Sequence, residues 1–134
     1  MNEFTEQQKA QLQEDFSKVW NHSVVEKNPP SYVHTEAGGV SCRYNGDDEE
    51  RCFYSVCLTD EERKNVIEGV GAEYIIKEFG IKRHADMVLA YRKLQYCHDD
   101  AVKAVRPNVG NFHAVAEEKL REFAESHGLK IPST

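Results

Sequence analysis

Apolar residues recur every three or four positions through most of this chain, and that period predicts helices. Leu12, Phe16, Val19 and Trp20 fall on one face of the first segment, while Glu, Gln and Lys cover the rest. Thr5 opens it, with Gln8 three residues later in the pattern of a capping box. Asn21-His22-Ser23 closes it, and Asn28-Pro29-Pro30 is a firm break, because neither proline can donate a backbone hydrogen bond. From Thr59 onward the helical period returns. Thr59 and Glu62 form a second capping box, with Asp60 and Glu61 at the positive end of the helix dipole. That helix is interrupted at Glu68-Gly69-Val70-Gly71, then resumes from Ala72 to Phe79 with Gly80 as its terminating residue. A longer helix is expected from about Arg83 to Val105, striped by Met87/Val88, Tyr91, Leu94/Gln95, His98, Val102 and Val105. Pro107 and Gly110 end it. Asn111 then opens a last helix whose face is Phe112, Val115/Ala116, Leu120 and Phe123/Ala124, stopped by Gly128.

Between the first helix and Thr59 the pattern changes. Ser31 to Thr35 has the look of a short edge strand, and Gly38-Gly39 punctuates the chain after it. Val40 to Leu58 then reads as a hairpin: a strand at 40–44, a polar turn at 45–50 and a strand at 51–58. Asn45-Gly46 suits the positive-φ positions of a turn. After Arg51 the second strand is apolar except at Ser55, which predicts cover on both faces. Its register is left open, and register decides which cysteines face one another.

These elements predict one α+β domain over residues 1–134, with four or five helices packed on a small antiparallel sheet of two or three strands. Its parts are an N-terminal helix in 1–27, a hairpin region in 31–58 and a helical region in 59–128. The 40% apolar and 30% charged content belongs to a globular chain rather than a disordered one. With a net charge of −6 and no basic stripe, binding to nucleic acid is disfavoured. The longest run without Asp, Glu, Lys or Arg is the ten residues Pro107 to Ala116, too short to cross a bilayer. MNEFTEQQKAQ lacks the basic start and apolar core of a signal peptide. A cytoplasmic location is therefore expected, where thiols are normally reduced.

Three groups of residues could carry chemistry. The four cysteines, with His98, offer a soft ligand set for zinc: Cys42, Cys52, Cys57, Cys97 and His98. None sits in a tight C-x(2–4)-C knuckle, and buried structural thiols explain them more simply than metal or disulfides. Gln95 and His98 lie three residues apart on the buried stripe of the long helix, and a buried polar pair must find partners. The sharper alternative makes His98 a general base for Cys52 or Cys57, but neither cysteine is predicted at a helix N-terminus or a strand-to-helix elbow. Catalytic residues are not assigned and no cofactor is expected. Lastly, Asp47, Asp48, Glu49 and Glu50 with Asp60, Glu61 and Glu62 place seven acids in sixteen residues, offset in that span by Arg51 alone. The turn acids suit docking on a basic protein surface, since loops carry function disproportionately.

Several of these elements together resemble a group of short proteins from bacteriophages, prophages and bacterial genomes. They are Cys42-Arg43-Tyr44, Arg51-Cys52-Phe53, Asp60-Glu61, Glu68-Gly69, and Leu94-Gln95 with His98-Asp99. The group often carries glycine where this chain has Ser55. The resemblance spans roughly residues 40 to 129 and implies no chemistry. It implies a phage-type accessory protein, placed in the host cytoplasm if phage-encoded, in which Cys52, Glu68, Gln95 and His98 form one structural constellation. The expected function is a non-catalytic interaction protein, an inhibitor or modulator of a host protein, docking through Asp47 to Glu50.

Overall fold

A computed structural model describes residues 4–28, 32–34, 40–42, 52–66, 70–105 and 111–132, with the backbone alone for 32–34 and 40–42. The first helix, α1, is Glu6–Trp20, opened by Thr5: its hydroxyl accepts from the Gln8 N–H at 3.1 Å, while the Gln8 side chain accepts from the Thr5 N–H at 2.9 Å. It does not stop at Asn21. One wider turn of π-helix continues it over Asn21–Val25.

The central correction concerns the hairpin. The segment expected as its second strand, 51–58, is instead the short helix α2, Phe53–Val56. Cys52 is the extended residue that opens it, and the Ser55 hydroxyl donates back to the Cys52 carbonyl at 2.8 Å. A run of apolar residues with no period is compatible with a strand or a helix buried on most of its surface, and here it is a helix with Phe53, Tyr54 and Ser55 buried and Val56 partly so. The expected turn at 45–50 lies outside the described residues. The one ladder among the described residues is three residues per strand, β1 (Tyr32–His34) antiparallel to β2 (Val40–Cys42), with Tyr32 opposite Cys42 and His34 opposite Val40. A ladder that short is no layer for helices to lie on. The architecture is helical, and the α+β expectation does not hold.

The remaining helices are α3 (Asp60–Asn65), α4 (Ala72–Glu78), α5 (Val88–Val105) and α6 (Phe112–His127), with a 3₁₀ segment at Lys82–Met87 leading into α5. The long helix expected from Arg83 thus begins as a tighter spiral. Gly80 and Gly128 hold φ of +64° and +65°, the left-handed conformation in which glycine has no Cβ to clash. α5 is the hub, packing against α2, α4 and α6. Leu12, Phe16 and Val19 of α1 meet Tyr91, Leu94 and Val102 of α5 and Phe112, Ala116 and Leu120 of α6 in one buried cluster. The Phe16 and Phe123 rings stack at 6.0 Å, which fixes α1 against α6.

Candidate functional site

Inside that apolar cluster lie two polar networks. The first is centred on Asp15, which sits on the buried face of α1 between Leu12 and Phe16 and has no exposed surface. Its Oδ2 accepts from Gln11 Nε2 at 3.0 Å, from His84 Nε2 at 3.0 Å and from the Tyr91 hydroxyl. Oδ1 has no hydrogen-bond partner among the described residues. On the far side of the imidazole, His84 Nδ1 lies 2.8 Å from the Tyr54 hydroxyl, and the His84 and Tyr91 rings stack at 3.9 Å. Burial alone pushes the Asp15 carboxyl up, but the hydrogen bonds from His84, Tyr91 and Gln11 together reverse this and leave it below the usual value. Burial, then the Asp15 charge, pushes the Tyr91 phenol up, so it stays a donor.

Tyr54 joins this network to a second. Its backbone N–H, near the start of α2, donates to Gln95 Oε1 at 2.7 Å. Gln95 Nε2 in turn donates to Asp99 Oδ1 at 2.8 Å, and His98 Nδ1 lies 2.7 Å from the same oxygen. Phe53 and Phe112 wall the His98 ring at 5.2 and 5.5 Å. Gln95, His98 and Asp99 occupy neighbouring positions on α5, so the helix itself sets their spacing. Of the four residues expected to form one constellation, Gln95 and His98 meet here, Cys52 stands two residues before Tyr54, and Glu68 lies outside the described residues.

The cysteines behave differently from the all-thiol expectation. Cys52 is disulfide-bonded, whereas Cys57 and Cys97 are free and buried. The Cys57 thiol donates to the Phe53 carbonyl at 3.6 Å; burial, with the nearby Asp15 charge, pushes it well up. Burial likewise pushes Cys97 up to about 12. Neither is a thiolate at neutral pH, so neither is primed as a nucleophile. A bonded Cys52 sulfur is no thiolate ligand for zinc either, and no group of three His, Cys, Asp or Glu converges among the described residues. The Cys42 side chain lies outside the description.

Of the seven acids, Asp47, Asp48, Glu49 and Glu50 lie outside the described residues. The α3 acids are clasped from beyond the span that Arg51 was expected to balance alone. Asp60 pairs with Arg63. Both Glu62 oxygens receive Arg83 at 2.7 Å, and Arg83 also donates to the Cys57 carbonyl at 2.9 Å. That bidentate pairing first of all holds the Glu62 carboxyl down to about 2. Arg63 donates to the carbonyls of Ser55 and Leu58 at 2.8 and 2.7 Å, so the two arginines cap the frayed end of α2.

Asp15, Tyr54, His84 and Tyr91 are absent from the sequence-level candidates. The signal that could have found Asp15 is its spacing, three residues after Leu12 and one before Phe16, on a face with no other acid. Its partners lie 69 and 76 positions away, beyond any local pattern. No helix among the described residues is long and apolar enough to cross a membrane. No protein-family model, curated protein or solved structure matches the chain.

Proposed function

We propose that the chain is a small non-catalytic interaction protein that docks through the acidic turn Asp47 to Glu50 on a basic surface of a protein partner. The observation that supports this reading is where the chemistry-bearing side chains lie. Asp15, His84, Tyr91 and Tyr54 have 0% exposed surface and are bonded to one another. Gln95, His98 and Asp99 are similarly enclosed. An acid–base group must reach the proton it moves, and these side chains are buried and hydrogen-bonded inside the fold. Their geometry suits holding α1, α2 and α5 together, which leaves recognition to the outer surface. The resemblance to phage and prophage proteins extends the proposal to an inhibitor or modulator of a host protein in the cytoplasm. The buried disulfide at Cys52 is the feature a reducing compartment would have to spare.

Salt tests the proposal. Docking steered by four adjacent carboxylates should weaken steeply between low and high ionic strength, mostly through slower association. Partners retained on the immobilised protein at low salt should elute as salt rises, and a variant carrying D47N, D48N, E49Q and E50Q should not retain them. Retention indifferent to both salt and the four substitutions would remove the acidic turn as the docking element.

A further inference from the structure

The chain has four cysteines: Cys42, Cys52, Cys57 and Cys97. Cys57 and Cys97 are free, and Cys52 is disulfide-bonded. Within a single chain the count leaves Cys42 as the residue that completes the bond. The backbone agrees with that pairing. Cys42 is the last residue of β2 and Cys52 is the extended residue that opens α2, and β2 and α2 both pack against α5. One helix therefore gathers the two cysteine-bearing elements on itself.

The two elements depend on that bond unequally. α2 is held by contacts that need no sulfur: the Tyr54 N–H on Gln95 Oε1 at 2.7 Å, the Arg83 guanidinium on the Cys57 carbonyl at 2.9 Å, and the Phe53 ring against His98 and Phe112. The β1–β2 ladder has three residues per strand, and a two-stranded ladder is marginal on its own in water. Tying the end of β2 covalently to the opening of α2 removes much of the freedom the ladder would gain by detaching.

We propose that Cys52 is bonded to Cys42 and that this disulfide is a redox-sensitive strap holding the β1–β2 ladder on the helical body. Reduction by a dithiol breaks the one S–S bond and leaves two cysteine thiols; the dithiol gives up two electrons and two protons and becomes a disulfide itself. The ladder then detaches while the helices stay packed. Cys52 has no exposed surface, so a reductant meets that sulfur only after local opening, which slows the exchange. The strap needs neither the acidic turn nor a partner, so the two proposals stand or fall separately.

Two measurements on the full chain test it. Peptide mapping without reductant, after free thiols are blocked in denaturant, should recover one cross-linked pair, Cys42 with Cys52. Hydrogen exchange is then compared between the oxidised protein and the protein reduced with dithiothreitol. Amide protection over Tyr32–His34 and Val40–Cys42 should fall at least about ten-fold on reduction, while protection over α5 and α6 changes less than about two-fold. Cys42→Ser, which leaves the buried Cys52 in place, should reproduce the reduced pattern with the helical circular dichroism unchanged. The proposal is overturned if Cys52 is free in the oxidised protein or linked to any other cysteine, including one of a second copy. It is equally overturned if the ladder is unprotected when oxidised, if its protection survives reduction, or if reduction unfolds the helices as well.

Discussion

The backbone N–H of Tyr54 donates to Gln95 Oε1 at 2.7 Å across 41 positions of sequence. This bond ties the first turn of α2 to the middle of α5 and makes Tyr54 the junction of both buried networks. Removing the acceptor leaves a buried backbone donor without a partner and also releases Asp99. Gln95→Ala is therefore expected to destabilise the fold by about 2–3 kcal/mol. Urea denaturation monitored by circular dichroism would measure it, with the midpoint lowered and the slope unchanged. A loss under about 0.5 kcal/mol would mean the bond carries no structural weight.

Asp15 makes a second prediction. Cutting the carboxylate away strands His84 and Tyr91 in an apolar interior, so Asp15→Ala should cost about 3–5 kcal/mol. Tyr91→Phe removes one donor of several and should cost about 1–2 kcal/mol. Because the two groups touch, the double variant should lose less than the sum of the single losses. Additive losses in a double-mutant cycle would show that the two residues do not act together.

The carboxyls also set a pH dependence. Glu62 ionises at about 2 in the folded chain, against 4.5 for the free group, with its Arg83 bonds the main cause. Asp15 is likewise held below 3.8. As pH falls, the unfolded chain takes up these protons first. The stabilisation is whole above about pH 4.5 and drains away as pH drops toward 2. Arg83→Met should flatten the Glu62 part of that decline, measured as the urea midpoint at a series of acidic pH values. An unchanged slope would contradict the pairing.

Thiol chemistry offers a direct readout. Cys57 and Cys97 should resist iodoacetamide at neutral pH in the native protein and react fully once it is unfolded, since burial keeps both protonated and covered. Cys52 should be labelled only after reduction. Peptide mapping of native, unfolded and reduced samples separates the three, and fast native labelling of Cys57 would refute its placement.

Much of the helical frame was legible because its signals are local. Thr5 with Gln8 and Thr59 with Glu62 announce their helices, and Gly80 and Gly128 mark two ends through a conformation that other residues adopt at a cost. The stretch from Cys52 to Leu58 misled for a physical reason. An apolar run broken only by Ser55 lacks a period, so it reads equally as a strand covered on two faces or as a largely buried helical turn. What settled it is tertiary: Gln95, Arg63 and Arg83 satisfy the polar groups of α2 from elsewhere in the chain. The same holds for the interior networks. Gln95 and His98 could be singled out as polar residues on an apolar stripe, whereas Asp15 passed as one more acid on a charged helix, and His84 and Tyr91 gain their meaning from an oxygen some seventy positions away.

An enclosed polar interior holds the helices together, and the proposal assigns partner docking to Asp47 to Glu50. The most direct measurement compares partner capture at low salt by three folded proteins: the parent, the variant neutralised at Asp47, Asp48, Glu49 and Glu50, and Gln95→Ala held below its melting temperature. Capture by the parent and by Gln95→Ala, with none by the neutralised variant, is the predicted result. Capture lost in Gln95→Ala while still folded, and kept by the neutralised variant, would contradict it and place the function in the interior.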